Sequence, residues 1–371
     1  MQVLFIVFLV AVGIQLIYIT VFLIAILKKE SGVGSETQPV SVIVCAHDEE
    51  QNLRELVPIL LQQKHPAFEI IIVNDRSNDG TYDFLLEETK KVETHNNASL
   101  RMVHAAAVPA HVNGKKFGIT LGIKAAKYDW IVLTDADCRP NSDQWLQSIS
   151  AQCTGDKEII LGYSSYQKED GLLNLFIRFE TLLTAIQYVS YAILGNPYMG
   201  VGRNLAYRKS LFLNNKGFNG FLGVTGGDDD LFVNQHAHAK NTAVTLGEES
   251  IIYSVPKRTL QEFFNQKVRH LSVGKKYRFK HKLLLGVFSL TQLITWLLGL
   301  PLLFIFSGYL WVLGAFITRI LLLSITTYQA ARRFGHKFES WSVPLLDFLF
   351  VIYYLSTAPV ALLTKKIRWR N

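Results

Sequence analysis

The chain has long apolar segments at both ends and a mixed middle. Residues 3–27 carry no charge, and a second apolar region begins after residue 283. About 25 residues at a rise of 1.5 Å suffice to cross a hydrocarbon core of ~30 Å. Lys28 and Lys29 follow the first segment, so the positive-inside rule predicts that its C-terminal end faces the cytoplasm. We therefore expect a retained membrane anchor at residues 1–29.

The middle of the chain alternates short apolar runs with helical stretches. Strands are predicted at residues 40–46, 68–75, 100–105 and 130–137, and helices at 48–63, 81–91 and 116–127. Asp48 is the expected N-cap of the first of these helices. Continuous apolar strands followed by helices predict an α/β fold with a mostly parallel sheet, covered on both faces. Ligands of such sheets bind at the carboxyl ends of the strands.

The second apolar region predicts further membrane elements. Residues 283–327 leave room for two spans with a turn near Ser307 and Gly308. A fourth apolar segment, 343–363, is interrupted by Asp347 and Pro359. If this segment crossed completely, the basic C-terminal residues would lie outside, against the positive-inside rule. A re-entrant or interfacial segment is therefore favoured over a third C-terminal span.

Two other segments are helical but are not predicted to cross. Residues 171–198 contain Arg178 and Glu180, which favours a helix buried against the domain or lying at the membrane surface. Residues 257–282 are basic with an apolar stripe, as in an amphipathic interfacial helix. The predicted division is an anchor at 1–29, a cytoplasmic catalytic domain at 39–256, an interfacial helix at 257–282 and a membrane region at 283–371.

Charge and cysteine content narrow the class of protein. Lys and Arg number 38 against 30 Asp and Glu, a net charge of +8. Because basic residues flank the apolar segments, membrane lipid explains this charge and no nucleic-acid partner is expected. Three widely spaced cysteines without a C-x-x-C pair indicate reduced thiols in a cytoplasmic domain. A mean hydropathy of +0.20 excludes a disordered chain.

Two acidic motifs end predicted strands. Asp135 and Asp137 stand at positions i and i+2, where strand alternation places both side chains on one face. Adjacent carboxylates suit a hard divalent cation such as Mg²⁺, which also takes phosphate oxygens, although a solvated turn is the alternative. Asp75 ends another strand, where it could accept hydrogen bonds from a base or ribose, or simply cap the next helix.

Two further motifs lie downstream. Asp228 and Asp229 follow two glycines, where they could cap a helix or supply a general base whose pKa is raised by neighbouring negative charge. Gln266, Arg269 and His270 share one face of the basic helix. Arg269 could bind a diphosphate leaving group there, or the helix could rest on anionic lipid.

The motifs together resemble one family. They are S-V-I-V-x-A-x-D-E-E from Ser41, V-N-D-x-S-x-D-G-T from Val73, D-A-D from Asp135, G-D-D from Gly227 and Q-x-x-R-H from Gln266. In this order they resemble membrane-anchored family 2 glycosyltransferases with the GT-A fold, related to cellulose-synthase-like and chitin- and hyaluronan-synthase-like enzymes. His270 stands in place of the family's Trp, and Asp228 in place of its usual Glu.

The resemblance implies a role for each matching residue. It assigns donor binding to Ala46, Glu49, Asp75, Lys116, Asp135, Gln266 and Arg269. It assigns Mg²⁺ or Mn²⁺ to Asp135 and Asp137, and the acceptor side to Gly202, Asn204 and His270. It implies that Asp229 is the general base, with Asp228 as the alternative.

The implied activity is inverting transfer of a sugar from a nucleotide-diphosphate sugar. The expected acceptor is a lipid, lipid-linked or glycan hydroxyl at the cytoplasmic face of the inner membrane. Two other classes fit part of the pattern: a nucleotidyltransferase that makes an activated sugar, and a non-catalytic membrane subunit that binds nucleotide sugar.

Overall fold

The computed structural model describes residues 1–28, 37–92 and 99–364. These form two units. The α/β unit comprises residues 37–92, 99–167 and 192–256, and the helical unit comprises residues 1–28, 168–191 and 257–364. Most of the stretch between the predicted anchor at 1–29 and the predicted domain at 39–256 lies outside the described residues, and the basic residues at 365–370 lie wholly outside them.

The α/β unit is built on two sheets. Its strands are β1 Val40–Ala46, β2 Phe68–Asp75, β3 Ser99–Ala105, β4 Trp130–Asp135, β5 Cys138–Pro140, β6 Ile159–Gly162, β7 Ser164–Tyr166, β8 Leu205–Arg208, β9 Thr242–Thr245 and β10 Ile252–Ser254. The larger sheet has the order β3-β2-β1-β4-β8-β6-β9, and only β8 runs antiparallel to its neighbours. The predicted mostly parallel sheet is therefore confirmed. The smaller sheet has the order β5-β10-β7.

Twelve α-helices complete the described part of the chain. They are α1 Gln2–Leu27, α2 Glu50–Leu61, α3 Thr81–Val92, α4 Gly114–Ala125, α5 Trp145–Ser150, α6 Leu172–Ile193, α7 Lys209–Asn214, α8 Asp230–His236, α9 Leu260–Val273, α10 Phe279–Ile305, α11 Tyr309–Phe334 and α12 Val343–Leu363. The predicted Asp48 cap is wrong, because α2 begins two residues later. Asp48 instead has a φ of 56° and accepts a hydrogen bond of 2.6 Å from the Asn78 amide, which joins two loops at the sheet edge.

Helix α4 packs on the central strands through glycine. A Cβ added to Gly122 would lie 2.6 Å from Cγ2 of Ile43 and 3.2 Å from Cγ2 of Val73. Both neighbours are buried strand residues that have little room to move. The glycine therefore lets the helix approach the sheet closely, which brings the first turn of α4 to the carboxyl ends of the strands.

We expect Gly122→Val to lower the free energy of unfolding of the α/β unit by about 1–3 kcal/mol, because the added methyl groups overpack this contact. Gly220→Ala is the matched control, since its Cβ would meet nothing closer than 3.9 Å. Denaturant unfolding followed by tryptophan fluorescence measures both. Equal stability of the two variants would contradict this packing argument.

The helical unit contains long apolar helices. Five are long and apolar enough to cross a membrane, by length and composition: Gln2–Leu27, Leu172–Ile193, Phe279–Ile305, Tyr309–Phe334 and Ser340–Leu363. The break between α10 and α11 falls at residues 306–308, where a turn between two spans is predicted. Helix α6 meets the same criteria, although most of it is buried inside the structure.

Helix α12 is continuous through Asp347, the charged residue that interrupts the apolar segment in the sequence. The Asp347 carboxylate pairs with Arg319 and accepts hydrogen bonds of 2.8 Å from Gln292 and 2.7 Å from Trp296. All of these partners are on other helices of the same unit. A buried charge that is paired and hydrogen-bonded can remain inside a helix bundle, so it need not end a helix.

Candidate active site

The carboxyl ends of β1, β2 and β4 form one polar edge. In the strand register Asp135 lies beside Cys45, and Asn74 lies beside Ala46. Asp75 and Asp135 therefore end strands on the two sides of β1. At a strand spacing of about 4.8 Å, their backbones lie about 10 Å apart. The sheet thus brings two of the predicted acidic positions to one edge.

Asp135 and Asp137 meet at a turn rather than along a strand. Strand β4 ends at Asp135, and Asp137 lies in the turn before β5, so the predicted alternation along one strand is wrong. The ligand atoms of both carboxylates and of Cys138 nevertheless lie within 4.8 Å of one another. Burial, together with these negative charges, raises the pKa of the Cys138 thiol well above its usual value. The thiol therefore stays protonated, and the two carboxylates fit a hard cation such as Mg²⁺ or Mn²⁺.

The first turn of α4 lies between the two acidic strand ends. A Cβ on Gly114 would lie 2.7 Å from Oδ2 of Asp75, so glycine allows the Asp75 carboxylate to lie against the helix start. The next residue, Lys115, places its Nζ 2.7 Å from Oδ1 of Asp135 and 3.5 Å from Oδ2 of Asp228. Lys115 thus joins the D-A-D motif to the G-D-D motif.

Lys116, the predicted donor lysine, is oriented differently. It is fully buried, and its ammonium donates to the carbonyl oxygens of Val224 and Gly226. This contact anchors the backbone that precedes the G-D-D motif. Consecutive helix residues point about 100° apart, so the two lysines leave the helix in different directions, and Lys115 is the one that contacts Asp135 and Asp228 directly. Sequence reasoning missed Lys115, and the pair of lysines at the helix start was the available signal.

Asp228 and Asp229 occupy different environments. Asp228 is buried, which opposes its ionisation, but Lys115 and Lys116 outweigh this and lower its pKa. Asp229 is half-buried and accepts hydrogen bonds of 2.8 Å from the Gly202 amide and 2.7 Å from the Asp230 amide. Burial and the neighbouring Asp228 charge raise the pKa of Asp229. The pair therefore combines an ionised, ion-paired carboxylate with a more basic one.

The predicted acceptor-side residues divide into two roles. Gly202 lies directly against Asp229 through its amide. Asn204 is buried, and it donates to the carbonyl oxygens of Tyr163 and Ser250 at 2.7 and 2.8 Å. It also accepts a hydrogen bond of 3.1 Å from the indole of Trp145. These bonds use both side-chain N–H groups of Asn204, so this residue fixes the loop instead of offering a donor to an acceptor.

A small pocket opens among these groups. Its polar wall consists of Lys115, Asp135, Gly202 and Asp228. Its remaining wall comes from apolar side chains of the central strands and α4 and from Cys45 and Thr134.

The first loop, which carries Ala46 and Glu49, is tied to the loop after β2. Ala46 is buried at the end of β1, and the Glu49 amide donates to the Thr81 hydroxyl at 3.0 Å. Asp75 is paired with Arg76 at 2.8 Å. These contacts order the rim on the side where a nucleotide is predicted.

Gln266, Arg269 and His270 belong to the helical unit. They lie on α9, where Gln266 and Arg269 are half-buried and His270 is exposed. Their predicted roles in donor and acceptor binding stay predictions.

Comparison with known proteins gives the family. The model of glycosyl transferase family 2 matches residues 41–213. The model of glycosyl transferase family group 2 matches residues 130–363, more than half of the chain. The chain belongs to the family 2 glycosyltransferases. Membership of this family decides against the two alternative classes that the sequence left open, a nucleotidyltransferase that makes an activated sugar and a non-catalytic subunit that binds nucleotide sugar.

The individual relatives match only part of this chain, at modest sequence identity. The 4,4'-diaponeurosporenoate glycosyltransferase of Staphylococcus haemolyticus is 31% identical over 136 residues, which cover 36% of this chain and 33% of the relative. The poly-beta-1,6-N-acetyl-D-glucosamine synthase of Staphylococcus epidermidis is 28% identical over 103 residues, 28% of this chain and 22% of the relative. The chain thus spans a third or less of the length of these curated relatives.

One solved structure resembles the whole chain. Mannosyltransferase PcManGT from Pyrobaculum calidifontis, in complex with GDP-Man and Mn²⁺, has a TM-score of 0.58 at 16% identity. The match covers 97% of this chain and 95% of the other. At this identity the similarity concerns the fold, and it confirms the predicted GT-A architecture.

Proposed function

We propose that this glycosyltransferase moves a sugar from a nucleotide-diphosphate sugar to a hydroxyl acceptor with inversion. The observation that carries the proposal is the convergence of the D-A-D and G-D-D motifs on Lys115. Inversion by direct displacement requires a leaving-group site and a base on opposite sides of the reacting carbon. The D-A-D motif would supply the first function and the G-D-D motif the second, and one residue of each motif, Asp135 and Asp228, lines the same small pocket.

The leaving-group side is assigned to Asp135 and Asp137. Two carboxylates beside a protonated thiol are a donor set that suits Mg²⁺ or Mn²⁺. When bound, such an ion would neutralise charge on the departing diphosphate. The PcManGT structure contains Mn²⁺ and GDP-Man, which supports a divalent ion and a nucleotide-sugar donor here.

The base is assigned to Asp229 rather than Asp228. Asp228 is buried and paired with Lys115, so its proton affinity is low. Asp229 is only half-buried, and its raised pKa favours proton uptake from an acceptor hydroxyl. The Gly202 and Asp230 amides hold the Asp229 carboxylate in place.

The acceptor is proposed to be a lipid, lipid-linked or glycan hydroxyl at the cytoplasmic face of the membrane. Several helices long enough to span a bilayer support a membrane location. Basic residues after the first apolar segment favour a cytoplasmic catalytic domain. The names of the two curated relatives, a diaponeurosporenoate transferase and a polysaccharide synthase, are compatible with these acceptor classes.

A ligand screen tests this proposal. The full chain in detergent is mixed with a panel of nucleotide sugars and Mn²⁺, and its melting temperature is measured. We expect stabilisation by one nucleotide sugar that weakens when Mn²⁺ is removed, followed by a product of the corresponding mass with membrane extract as acceptor. Failure of every nucleotide sugar and nucleoside diphosphate to stabilise the chain would contradict the proposal.

Lys115→Met should lower kcat/KM for the donor about tenfold or more. The substitution removes a charge-assisted hydrogen bond to Asp135, of a kind worth about 1.5–3 kcal/mol. Lys124→Met is the control, because Lys124 is exposed on the same helix. Initial rates at varied donor concentration measure both variants. If Lys115→Met kept wild-type kinetics, the proposal that Lys115 joins the D-A-D and G-D-D motifs into one donor site would be wrong.

The acid limb of the pH–rate profile should report Asp229. A base must be ionised to accept a proton, so turnover falls as the pH falls through its pKa. Because the pKa of Asp229 is raised, this fall should begin above the range of an ordinary aspartate, about 3.9. Asp228→Asn removes negative charge beside Asp229, so the acid limb should move to lower pH. An acid limb that stays at the same pH or moves to higher pH in this variant would argue against Asp229 as the general base.

A further inference from the structure

Arg203 carries a charge that the described residues do not pair. It lies in a short 3-10 turn, Gly202–Asn204, directly after the glycine that contacts Asp229. Its Nη1 is buried and has no hydrogen-bond partner within the described part of the chain. Leaving a buried guanidinium N–H without an acceptor is costly, so such a group beside a functional site is a candidate for binding an anion.

The position of the Arg203 side chain is fixed by stacking. Its Cζ lies 4.5 Å from the ring centroid of Tyr166, at the end of β7. In the smaller sheet Ser254 pairs with Tyr166 on one side and with Cys138 on the other. Tyr166 on β7 is therefore separated by a single strand, β10, from Cys138 on β5, the residue that follows Asp137 in the sequence. The stack places the guanidinium on the metal-binding side of the site.

The electrostatic surroundings agree with this placement. Burial disfavours the Arg203 cation, but the coulombic attraction of Tyr166, Cys138, Asp137 and Asp135, in decreasing order, holds its pKa above the usual value. Neither carboxylate forms a salt bridge with Arg203 in the described residues, so the attraction acts at longer range. The Nη1 group thus lacks an anionic partner among the described residues. Guanidinium groups bind phosphate through paired N–H bonds.

We propose that Arg203 binds a phosphate oxygen of a substrate, between the Asp135–Asp137 pair and the base Asp229. This inference rests on the proposed glycosyl transfer. The phosphate could come from the donor diphosphate or from a phosphate-bearing acceptor, since Gly202 of this turn contacts Asp229 and lines the same pocket as Asp135. Asn204 holds this turn through its three buried hydrogen bonds, so the cation is positioned before substrate arrives.

The test compares Arg203→Met and Arg203→Lys with a matched control. Arg208→Met also removes an arginine stacked on an aromatic ring, Trp130 at 4.8 Å, but that arginine is paired with Asp129 at 3.0 Å. Calorimetry measures binding of UDP and GDP to the full chain in detergent with Mn²⁺. Thermal stabilisation by inorganic phosphate is then measured on chain saturated with the nucleoside diphosphate.

If Arg203 binds a phosphate of the donor, Arg203→Met should weaken nucleoside diphosphate binding about tenfold or more. If Arg203 instead binds a phosphate of the acceptor, Arg203→Met should bind nucleoside diphosphate as the wild type does but should lose the thermal stabilisation by inorganic phosphate. Arg208→Met should leave both measurements unchanged. Wild-type behaviour of Arg203→Met with both probes, or an equal loss in Arg208→Met, would overturn the inference.

Arg203→Lys keeps the inference testable if Arg203→Met does not fold. Lysine retains the positive charge but lacks the planar fork, so binding should be weaker than in the wild type. Binding at wild-type strength by Arg203→Lys would then overturn the inference. If the wild-type chain bound none of the nucleoside diphosphates of the ligand screen, the proposed function itself would fail, which is a different result from any effect of Arg203.

Discussion

Asp229→Asn is expected to lower the turnover number by about 10²–10⁴-fold, which is the usual contribution of general base catalysis. The asparagine side chain is nearly the same size but cannot take up the acceptor proton. Donor binding should change little, because Asp229 contacts the Gly202 and Asp230 amides rather than the D-A-D motif. The loss should therefore appear in kcat and not in KM for the donor.

Initial-rate kinetics and nucleoside diphosphate calorimetry on the same preparation measure these two quantities. Asp83→Asn serves as the control, since Asp83 is an exposed carboxylate in the same unit. Asp228→Asn provides the comparison for the assignment of the base. If Asp228→Asn lost more turnover than Asp229→Asn at the pH optimum of each variant, Asp228 would be the base.

Asp137→Asn is expected to lower kcat/KM for the donor on the order of 10³-fold. The substitution removes one of the two carboxylates available to a divalent ion, and stabilisation of leaving-group charge is typically a large part of catalysis. The variant should need more Mn²⁺ for half-maximal rate. This shift distinguishes a metal ligand from a carboxylate that only shapes the turn.

Activity measured across a Mn²⁺ titration tests this expectation. Asp143→Asn is the control, because Asp143 is partly exposed and its carboxylate pairs with Lys64 at the surface. Its Mn²⁺ dependence should match the wild type. An Asp137→Asn variant with the wild-type Mn²⁺ requirement would remove Asp137 from the metal site.

Local pattern is enough to predict the sheet and its acidic edge. The apolar runs at β1 and β2 identify buried strands because both faces of these strands are covered. Parallel strands end at the same edge, so the positions of Asp75 and Asp135 at the ends of two apolar runs suffice to predict that they lie together.

Long-range partners cannot be predicted in the same way. The choice between Lys115 and Lys116 depends on how α4 is rotated against the sheet, which the contact at Gly122 decides. In the sequence Asp347 is an isolated charge within an apolar segment, because its partner Arg319 lies 28 positions away. In both cases the deciding contact joins residues distant in sequence, and periodicity carries no information about such pairs.

The central claim is that Asp135, Asp137 and Lys115 form one site for a divalent ion and a diphosphate. Mn²⁺ binding followed by electron paramagnetic resonance tests it most directly, with and without the nucleoside diphosphate of the donor identified by the screen. The account predicts one Mn²⁺ per chain, bound more tightly when the diphosphate is present, and much weaker binding in Asp137→Asn. Mn²⁺ binding that is indifferent both to the diphosphate and to Asp137→Asn would contradict it.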